Sequence, residues 1–221
     1  RELPPPELEA QLRACAEVAA ALGLATFASP TYEADDLIGG LAATARRASR
    51  PVTIVSRDKD LGQLLQDGDT LWDGADRRAG PADIEARFGV PPRAIPDLFG
   101  LMGDAVDNIP GVRGIGARTA AALIAHFGDL EALYANLDSI DSLELRGTAR
   151  IRRLLEEQRE MAILSRELAR VVTEDLPVPG NLSALAWKGP DIAAFSELSD
   201  RMGFGRRFRE RATALAGRGQ G

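Results

Sequence analysis

Cysteine is almost absent: Cys15 is the one thiol in 221 residues. A single thiol excludes an internal disulfide and fits a reducing cytosol. Its setting reads as a small apolar position on a helix rather than as a nucleophile. Histidine is equally scarce. His126 stands alone in LIAHFGDL near a helix end, so Ser-His-Asp and Cys-His sets are excluded and a capping or half-buried place is expected for it. No apolar run is long enough to span a bilayer, and the charged, proline-rich start RELPPPELEA is no secretory signal. A cytoplasmic protein without a membrane partner is expected. Aromatics are few, and Trp72 and Trp187 are expected at core or boundary positions rather than stacked on bases. Repeats and low-complexity tracts are absent. With 45% hydrophobic residues, the chain can bury one large domain or two small ones.

Acidic residues are abundant, and seven of them fall in three tight clusters. Glu33, Asp35 and Asp36 lie in YEADD, Asp58 and Asp60 in SRDKD, and Asp104 and Asp107 in GDAVDN. Converging carboxylates repel, so a fold that gathers them usually holds cations there. Hard oxygen ligands without His or Cys suit Mg²⁺ or Mn²⁺ rather than Zn²⁺. Glu33 and Asp36, three apart, share a helix face, while Asp35 projects toward a second ion or an outer-shell water. Asp58 and Asp60 can face one side if the backbone is extended. Asp104 and Asp107 are again three apart. The bland alternative is a set of N-caps and loop acids. Net charge is −6, which argues against nucleic acid at first sight. Setting the seven clustered acids aside leaves 26 acidic against 27 basic side chains, a balance of +1. Arginines gather late (Arg201, Arg206, Arg207, Arg209, Arg211, Arg218) with only Glu210 between them, and again at Arg146, Arg150, Arg152 and Arg153.

Periodicity predicts helices over 5–22, 33–48, 60–65, 81–88, 95–102, 117–127, 129–135, 148–168, 190–202 and 205–216. Strands are expected at 24–28 (LATFA), 52–56 (VTIVS) and 70–73. VTIVS is apolar on both faces, as in a buried parallel strand, and Asp58 and Asp60 follow its carboxyl end, where open α/β sheets keep their sites. Beyond about residue 103 the strand signal fades. The expected architecture is α/β over 1–103, then a helical part over 104–221, with a loop at PVPGN and a flexible tail GRGQG.

Between the third acidic cluster and the helix from Ala117 lies GVRGIGARTA, the pattern of a helix-hairpin-helix near 108–127. Gly111, Gly114 and Gly116 allow positive φ and close backbone approach. Val112 and Ile115 anchor the hairpin from below. The exposed N–H groups and the following helix start suit a backbone phosphate, with Arg113, Arg118 and Thr119 adding contacts. The alternative is an ordinary helix–helix connection.

YEADDLIGGLA, VTIVSRDKDLGQLL, FGVPPRAIPDLFGLMGDAVDNIPGVRGIGARTAAALI and ELARVVTEDLP resemble the 5′-3′ exonuclease domain of bacterial DNA polymerase I, within the flap endonuclease superfamily. The resemblance runs from residue 1 to about 211. It implies an α/β, parallel-sheet PIN-like nuclease core followed by a helical subdomain with a helix-hairpin-helix (helix-3-turn-helix). It implies a structure-selective nuclease acting on DNA with 5′ ends or 5′ flaps in primer removal and repair, as a monomer associated with the bacterial nucleoid. The matching carboxylates Glu33, Asp35, Asp36, Asp58, Asp60, Asp104 and Asp107 would hold two metal sites, with Asp58, Asp60, Asp104 and Asp107 nearest the metals. The turn Gly111 to Gly116, Ile115 included, would grip duplex DNA, with K⁺ held by its carbonyls.

The family domain opens with a strand ending in a ligand Asp of a DG-type motif, then a second Asp and an arch with a basic YKANR-type motif. None of these is matched here, although Arg1 aligns with the last residue of the basic motif. The expectation is a metal site short of ligands, from an incomplete copy or a short form, with the glycine-rich end leaning toward a stand-alone protein. Two rivals follow: a junction-binding module that never cuts, and a DxD-type phosphotransferase using Asp58 and Asp60. The latter expects threonine two residues after Asp60, where Gly62 stands.

Overall fold

The computed structural model describes residues 5–216; Arg1 and the tail GRGQG with Arg218 lie outside the described residues. The chain forms two compact units. One runs over Glu33–Leu176, and the other joins Arg1–Tyr32 to Pro177–Gly221. All three acidic clusters and the glycine turn therefore fall in the first unit.

That unit opens with α2 (Ala34–Arg47), following α1 (Pro6–Ala21) of the other. Glu33 is the N-cap of α2, Asp35 and Asp36 fill its first turn, and Arg46 and Arg47 its last, the charge order that a helix dipole favours. Three strands follow: β1 (Thr53–Val55), β2 (Thr70–Trp72) and β3 (Arg78–Ala79). They form one sheet in that order. β1 runs parallel to β2, with Ile54 opposite Leu71, and β3 is antiparallel to β2. The strand VTIVS was expected to be buried on both faces. It is instead an edge strand: Ile54 is buried and Val55 is 59% exposed, because alternation sends only Ile54 inward. Asp69 fastens this layer to α2. Its carboxylate accepts from Arg46 at 2.5 Å and from the N–H groups of Val52 and Gln66 at 2.7 and 3.0 Å. Burial pushes this carboxyl up, but Arg46 and the two backbone donors outweigh it and hold it below its ordinary value.

Residues 60–64 are a 3₁₀ helix. Then come α3 (Pro81–Phe88) and α4 (Ile95–Met102), both with proline in the first turn and a glycine directly after the end. Residues Ile95 to Leu101 of α4 are all buried, so α4 is the axis of the core. Around it lie α5 (Ala117–Phe127), α6 (Leu130–Ala135), α7 (Thr148–Glu157) and α8 (Arg159–Ala169); Phe99, Leu123, Leu133 and Leu155 share one apolar cluster with it. The single helix expected over 148–168 breaks at Gln158, at φ −121°, and becomes α7 and α8.

The end of α4 is joined to the glycine turn by backbone alone. Gly103 (φ 71°) and Gly111 (φ 63°) touch: a Cβ on Gly111 would stand 2.3 Å from the Gly103 nitrogen, and a Cβ on Gly103 would stand 2.6 Å from the Ile109 oxygen. Asp104 and Ile109 exchange backbone bonds at 2.9 and 2.8 Å, and the Val112 N–H donates to the Leu101 oxygen at 2.8 Å. The buried Gly111 N–H donates to Ser165 Oγ at 3.0 Å.

The second unit packs α1 on α9 (Ile192–Met202) and α9 on α10 (Arg206–Ala216) around Ala21, Phe195 and Ala212. Residues 24–28, expected as a strand, pair with no strand; an extended segment becomes a strand only by finding a ladder partner. The late arginines do not face Glu210 alone. Arg201 pairs with Glu17, and Arg209 pairs with Asp200 at 2.7 Å, beside the Arg206–Glu210 pair. Of these acids, Glu17 is the one remote in sequence. Cys15 is exposed, and the Trp187 Nε1–H donates to the Leu22 oxygen. Among the described residues no helix is long and apolar enough to cross a membrane.

A methyl on Gly111 cannot fit without separating the two backbones. Gly111→Ala is expected to cost about 3 kcal/mol, lowering the thermal midpoint by roughly 6–12 °C. Gly180→Ala, where the new Cβ meets nothing within 4 Å, is the control and should shift it by less than about 1 kcal/mol. Equal midpoints for both variants would show that the Gly103–Gly111 contact carries no stability.

Candidate metal centre and glycine turn

Asp58 follows β1 directly. Its N–H donates to Ser56 Oγ at 3.0 Å, and its Oδ1 accepts from the Asp60 N–H at 2.9 Å. This is an Asx-type turn, not the extended backbone that would put both acids on one side. It tips Asp60 into the 3₁₀ helix, and from there Asp60 meets the third cluster. Ligand oxygens of Asp60, Asp104 and Asp107 all lie within 4.8 Å of one another. Asp104 is 8% exposed and Asp107 is exposed. Asp104 Oδ1 also accepts from the Val106 N–H at 2.8 Å, which leaves its other oxygen for a cation.

Lys59, a mere spacer in the DKD pattern, is the cation now in that position. Its Nζ pairs with Asp104, lies 3.3 Å from Asp60 Oδ1, and sits 5.2 Å from the centre of the Phe99 ring. Asp60 Oδ1 is buried and makes no hydrogen bond. Burial, aided by the Asp58 charge, pushes the Asp60 carboxyl up to about 6 even though Lys59 pulls it down. Asp104 goes the other way: burial would raise it, but Lys59 and the backbone donors hold it below the ordinary carboxylate value. A buried, unsatisfied carboxylate oxygen among three converging acids fits a hard divalent cation.

The first cluster divides. Asp35 belongs with the others: burial first, then the charges of Asp58, Glu33, Asp36 and Asp107, raise its pKa. Asp36 is committed to backbone donors. Its Oδ2 accepts from the Glu33 N–H at 3.2 Å and its Oδ1 from the Val172 N–H at 2.8 Å, so it closes the α2 capping box and ties α2 to the segment after α8. Glu33, as N-cap, is exposed.

In the glycine turn, Val112 and Ile115 are buried, while Arg113, Gly114, Gly116 and Arg118 are exposed and Thr119 is half-buried. Gly114 has φ 99°. Arg150 Nη2 stands 3.5 Å from where a Gly114 Cβ would lie, which brings one member of the 146–153 group to the turn, while Arg152 pairs with Asp138 and Asp141 and Arg153 with Glu157. Gly116 caps α5 without a side chain, so the first N–H groups of α5 stay open to an acceptor. Sequence reading missed Gln158. Its Oε1 accepts from the Arg113 N–H at 2.8 Å and its Nε2 donates to the Arg113 oxygen at 3.2 Å; the helix break is what aims this amide. His126 is exposed at the end of α5, edge-on to Phe127. Trp72 Nε1–H donates to the Ala75 oxygen and its ring carries the Arg78 guanidinium.

Two family models match the chain: "5′-3′ exonuclease, N-terminal resolvase-like domain" over residues 1–89, and "5′-3′ exonuclease, C-terminal SAM fold" over residues 90–193. DNA polymerase I of Bacillus caldotenax is 39% identical over 210 residues, 90% of this chain and 23% of that protein. Flap endonuclease Xni of Salmonella dublin is 42% identical over 164 residues, 74% of this chain and 62% of that protein. The chain thus spans about a quarter of the polymerase relative and under two thirds of the flap endonuclease. Among solved structures, the bacteriophage T5 flap endonuclease, as a pseudo-enzyme-product complex with DNA and metal ions, is 27% identical with a TM-score of 0.52, over 86% of this chain and 62% of that one.

The centre can be tested without any ligand. In the metal-free protein, carbon-13 carboxyl titration should place Asp60 near 6, and Lys59→Met should move both the Asp60 and the Asp104 midpoints up, because a cation that lowers both is gone. A folded pKa above the unfolded value of about 3.9 means that this group's stabilising contribution is complete below about pH 4 and is lost as pH rises through about 6. Unmoved midpoints in Lys59→Met would show that Lys59 does not face these acids.

Proposed function

This chain belongs to the 5′-3′ exonuclease family, and on that premise we propose that it is a metal-dependent nuclease that hydrolyses DNA phosphodiester bonds near 5′ ends and at 5′ flaps. The observation that carries this reading is the convergence of Asp60, Asp104 and Asp107 within 4.8 Å, joined through Gly103 and Gly111 to a turn with open N–H groups. The names of the relatives support it: a flap endonuclease, and a T5 enzyme solved with DNA and metal ions.

Asp60, Asp104 and Asp107, with Asp58, would hold Mg²⁺ or Mn²⁺, and Asp35, with Glu33 and Asp36, would complete the cluster from the start of α2. Two such ions, when bound, supply an activated water and stabilise charge on both oxygens of an in-line displacement at phosphorus. The chain's own residues do the rest. Lys59 yields Asp104 and Asp60 to the incoming cation. The turn from Gly111 to Gly116 presents N–H groups to a backbone phosphate, with Arg113, Arg118 and Thr119 beside it and K⁺ on its carbonyls. Contacts of this kind position a duplex without reading its bases, which suits an enzyme selective for structure. In this reading an α/β part ending near residue 103 supplies Glu33, Asp35, Asp36, Asp58 and Asp60, and a helical part from 104 supplies Asp104, Asp107 and the grip. The protein works as a monomer on the bacterial nucleoid in the cytoplasm, in primer removal and repair.

The test is the pair Asp58→Asn and Asp104→Asn together in the full-length protein. Mg²⁺-dependent cleavage of a labelled 5′-flap should fall by at least about 10²-fold, equivalent to ~2.7 kcal/mol at 1.36 kcal/mol per decade. Calorimetric titration with Mn²⁺ should lose heat of binding in parallel. Unchanged cleavage in the double variant sinks the assignment. Salt-dependent flap binding by the wild type with no cleavage in Mg²⁺ or Mn²⁺ leaves a DNA-binding module in its place.

A further inference from the structure

A second concavity shares Asp58 with the acidic cluster. It has a volume of about 250 Å³, and three arginines line it from three different elements. Arg57 comes from the end of β1, Arg77 from the turn between β2 and β3, and Arg87 from the last turn of α3. All three are exposed, and among the described residues none of them forms an ion pair within 4 Å.

The acids in the same wall answer them only in part: after its backbone donors, the charges of Arg57 and Arg77 help hold the Asp73 carboxyl below its ordinary value. Asp73 Oδ1 is taken by the N–H groups of Ala75 and Arg77 at 2.8 and 3.1 Å, which builds the β2–β3 turn. Asp83 Oδ2 is taken by the Gly80 N–H at 2.8 Å, which closes the start of α3. Lys59 is turned to Asp104 and Asp60. Asp58 belongs with the acidic cluster, where its charge raises both Asp35 and Asp60. Once a cation answers that cluster, the pocket keeps three guanidinium forks and two carboxylates already bound to backbone.

Planar guanidiniums lining one hollow, none of them locked into an ion pair, match the oxygens of a phosphate group. The volume narrows the choice further. Cofactor sites usually enclose about 300–1,000 Å³, so this pocket is too small for a nucleotide cofactor and suits a single phosphate with part of its sugar. An ordinary solvated arginine face would lie along one helix; these side chains come from a strand end, a turn and a helix end, around a hollow.

We propose that this pocket is a phosphate subsite for the nucleic-acid strand. It holds a backbone phosphate neighbouring the one at the acidic cluster and so sets how far the strand advances across Asp58. The proposal rests on the nuclease reading and adds a second grip, separate from the glycine turn and carried by different residues.

The test uses Arg77→Ala with Arg87→Ala in the full chain, with folding checked by an unchanged thermal midpoint. A labelled 5′-flap is titrated in EDTA at several salt concentrations and followed by anisotropy. Loss of one phosphate contact should make the slope of log K against log salt shallower by about 0.9, with several-fold weaker binding at low salt, and Arg77→Lys with Arg87→Lys should restore the slope because charge is kept. In Mg²⁺ the defect should appear in KM rather than in kcat. An unchanged slope and affinity in the alanine pair overturns the subsite, whether or not the wild type cleaves. If phosphorus NMR shows inorganic phosphate binding to the wild type and not to the alanine pair while DNA affinity stays the same, the pocket serves free phosphate and the strand subsite is overturned. Absence of Mg²⁺-dependent cleavage by the wild type would instead count against the nuclease reading, and the salt slope would still decide the pocket.

Discussion

Two stretches of backbone, at Gly103 and Gly111, meet with no side chain between them, and the placement of Asp104, Asp107 and the glycine turn follows from that contact. It fixes where α4 ends, so Asp104 leaves the most buried helix of the unit at a set point. It fixes where the glycine turn begins, so Val112 and Ile115 drop into the core and the peptide of Arg113 faces outward. The short Asp104–Ile109 bridge closes the loop between them. The acids and the phosphate-type turn are therefore two ends of one small rigid loop rather than features of separate domains. A flexible joint here would let a bound duplex drift relative to the carboxylates, and sub-ångström placement is what positional catalysis requires.

The second constraint is electrostatic. Three acids cannot be brought within ligand distance in a partly buried place unless positive charge accompanies them. Lys59 supplies part of it, yet the buried Asp60 Oδ1, 3.3 Å from that ammonium, makes no hydrogen bond, and its carboxyl is pushed well above its ordinary range. Asp36 shows the opposite solution in the same neighbourhood: both of its oxygens accept from backbone N–H groups and it serves as a fastener. Carboxylates of equal rank in the sequence thus separate into those that hold the fold together and those that the fold leaves wanting a cation.

Much of this was legible in the sequence where local chemistry decides. The bounds of α3 and α4 follow from proline at the start and glycine after the end, and those of α5 from a glycine at each side; all three match the residues expected. The three acidic clusters and the buried anchors of the turn were equally plain. What escaped depends on partners far along the chain. LATFA has the composition of a strand but pairs with none. VTIVS carries apolar residues on both faces, yet in the strand itself only Ile54 is buried. The helix break at Gln158 has no breaker residue beside it, since Glu157, Gln158 and Arg159 all favour helix; it coincides with a side-chain contact to the peptide of Arg113, forty-five positions earlier. Arg201 looked unanswered until the fold brought Glu17 beside it. Lys59 hid because a residue between two acids in a DxD pattern reads as spacing.

Lys59 also bears on the order in which the molecule is assembled. Small zinc domains have no fold until their ion arrives, so removing the ion dissolves the scaffold. Here an ammonium carried by the chain itself lets the loop close around its acids first, and an ion can enter a structure that already stands. The charge balance and the backbone contacts hold this scaffold, so its architecture does not rest on an ion.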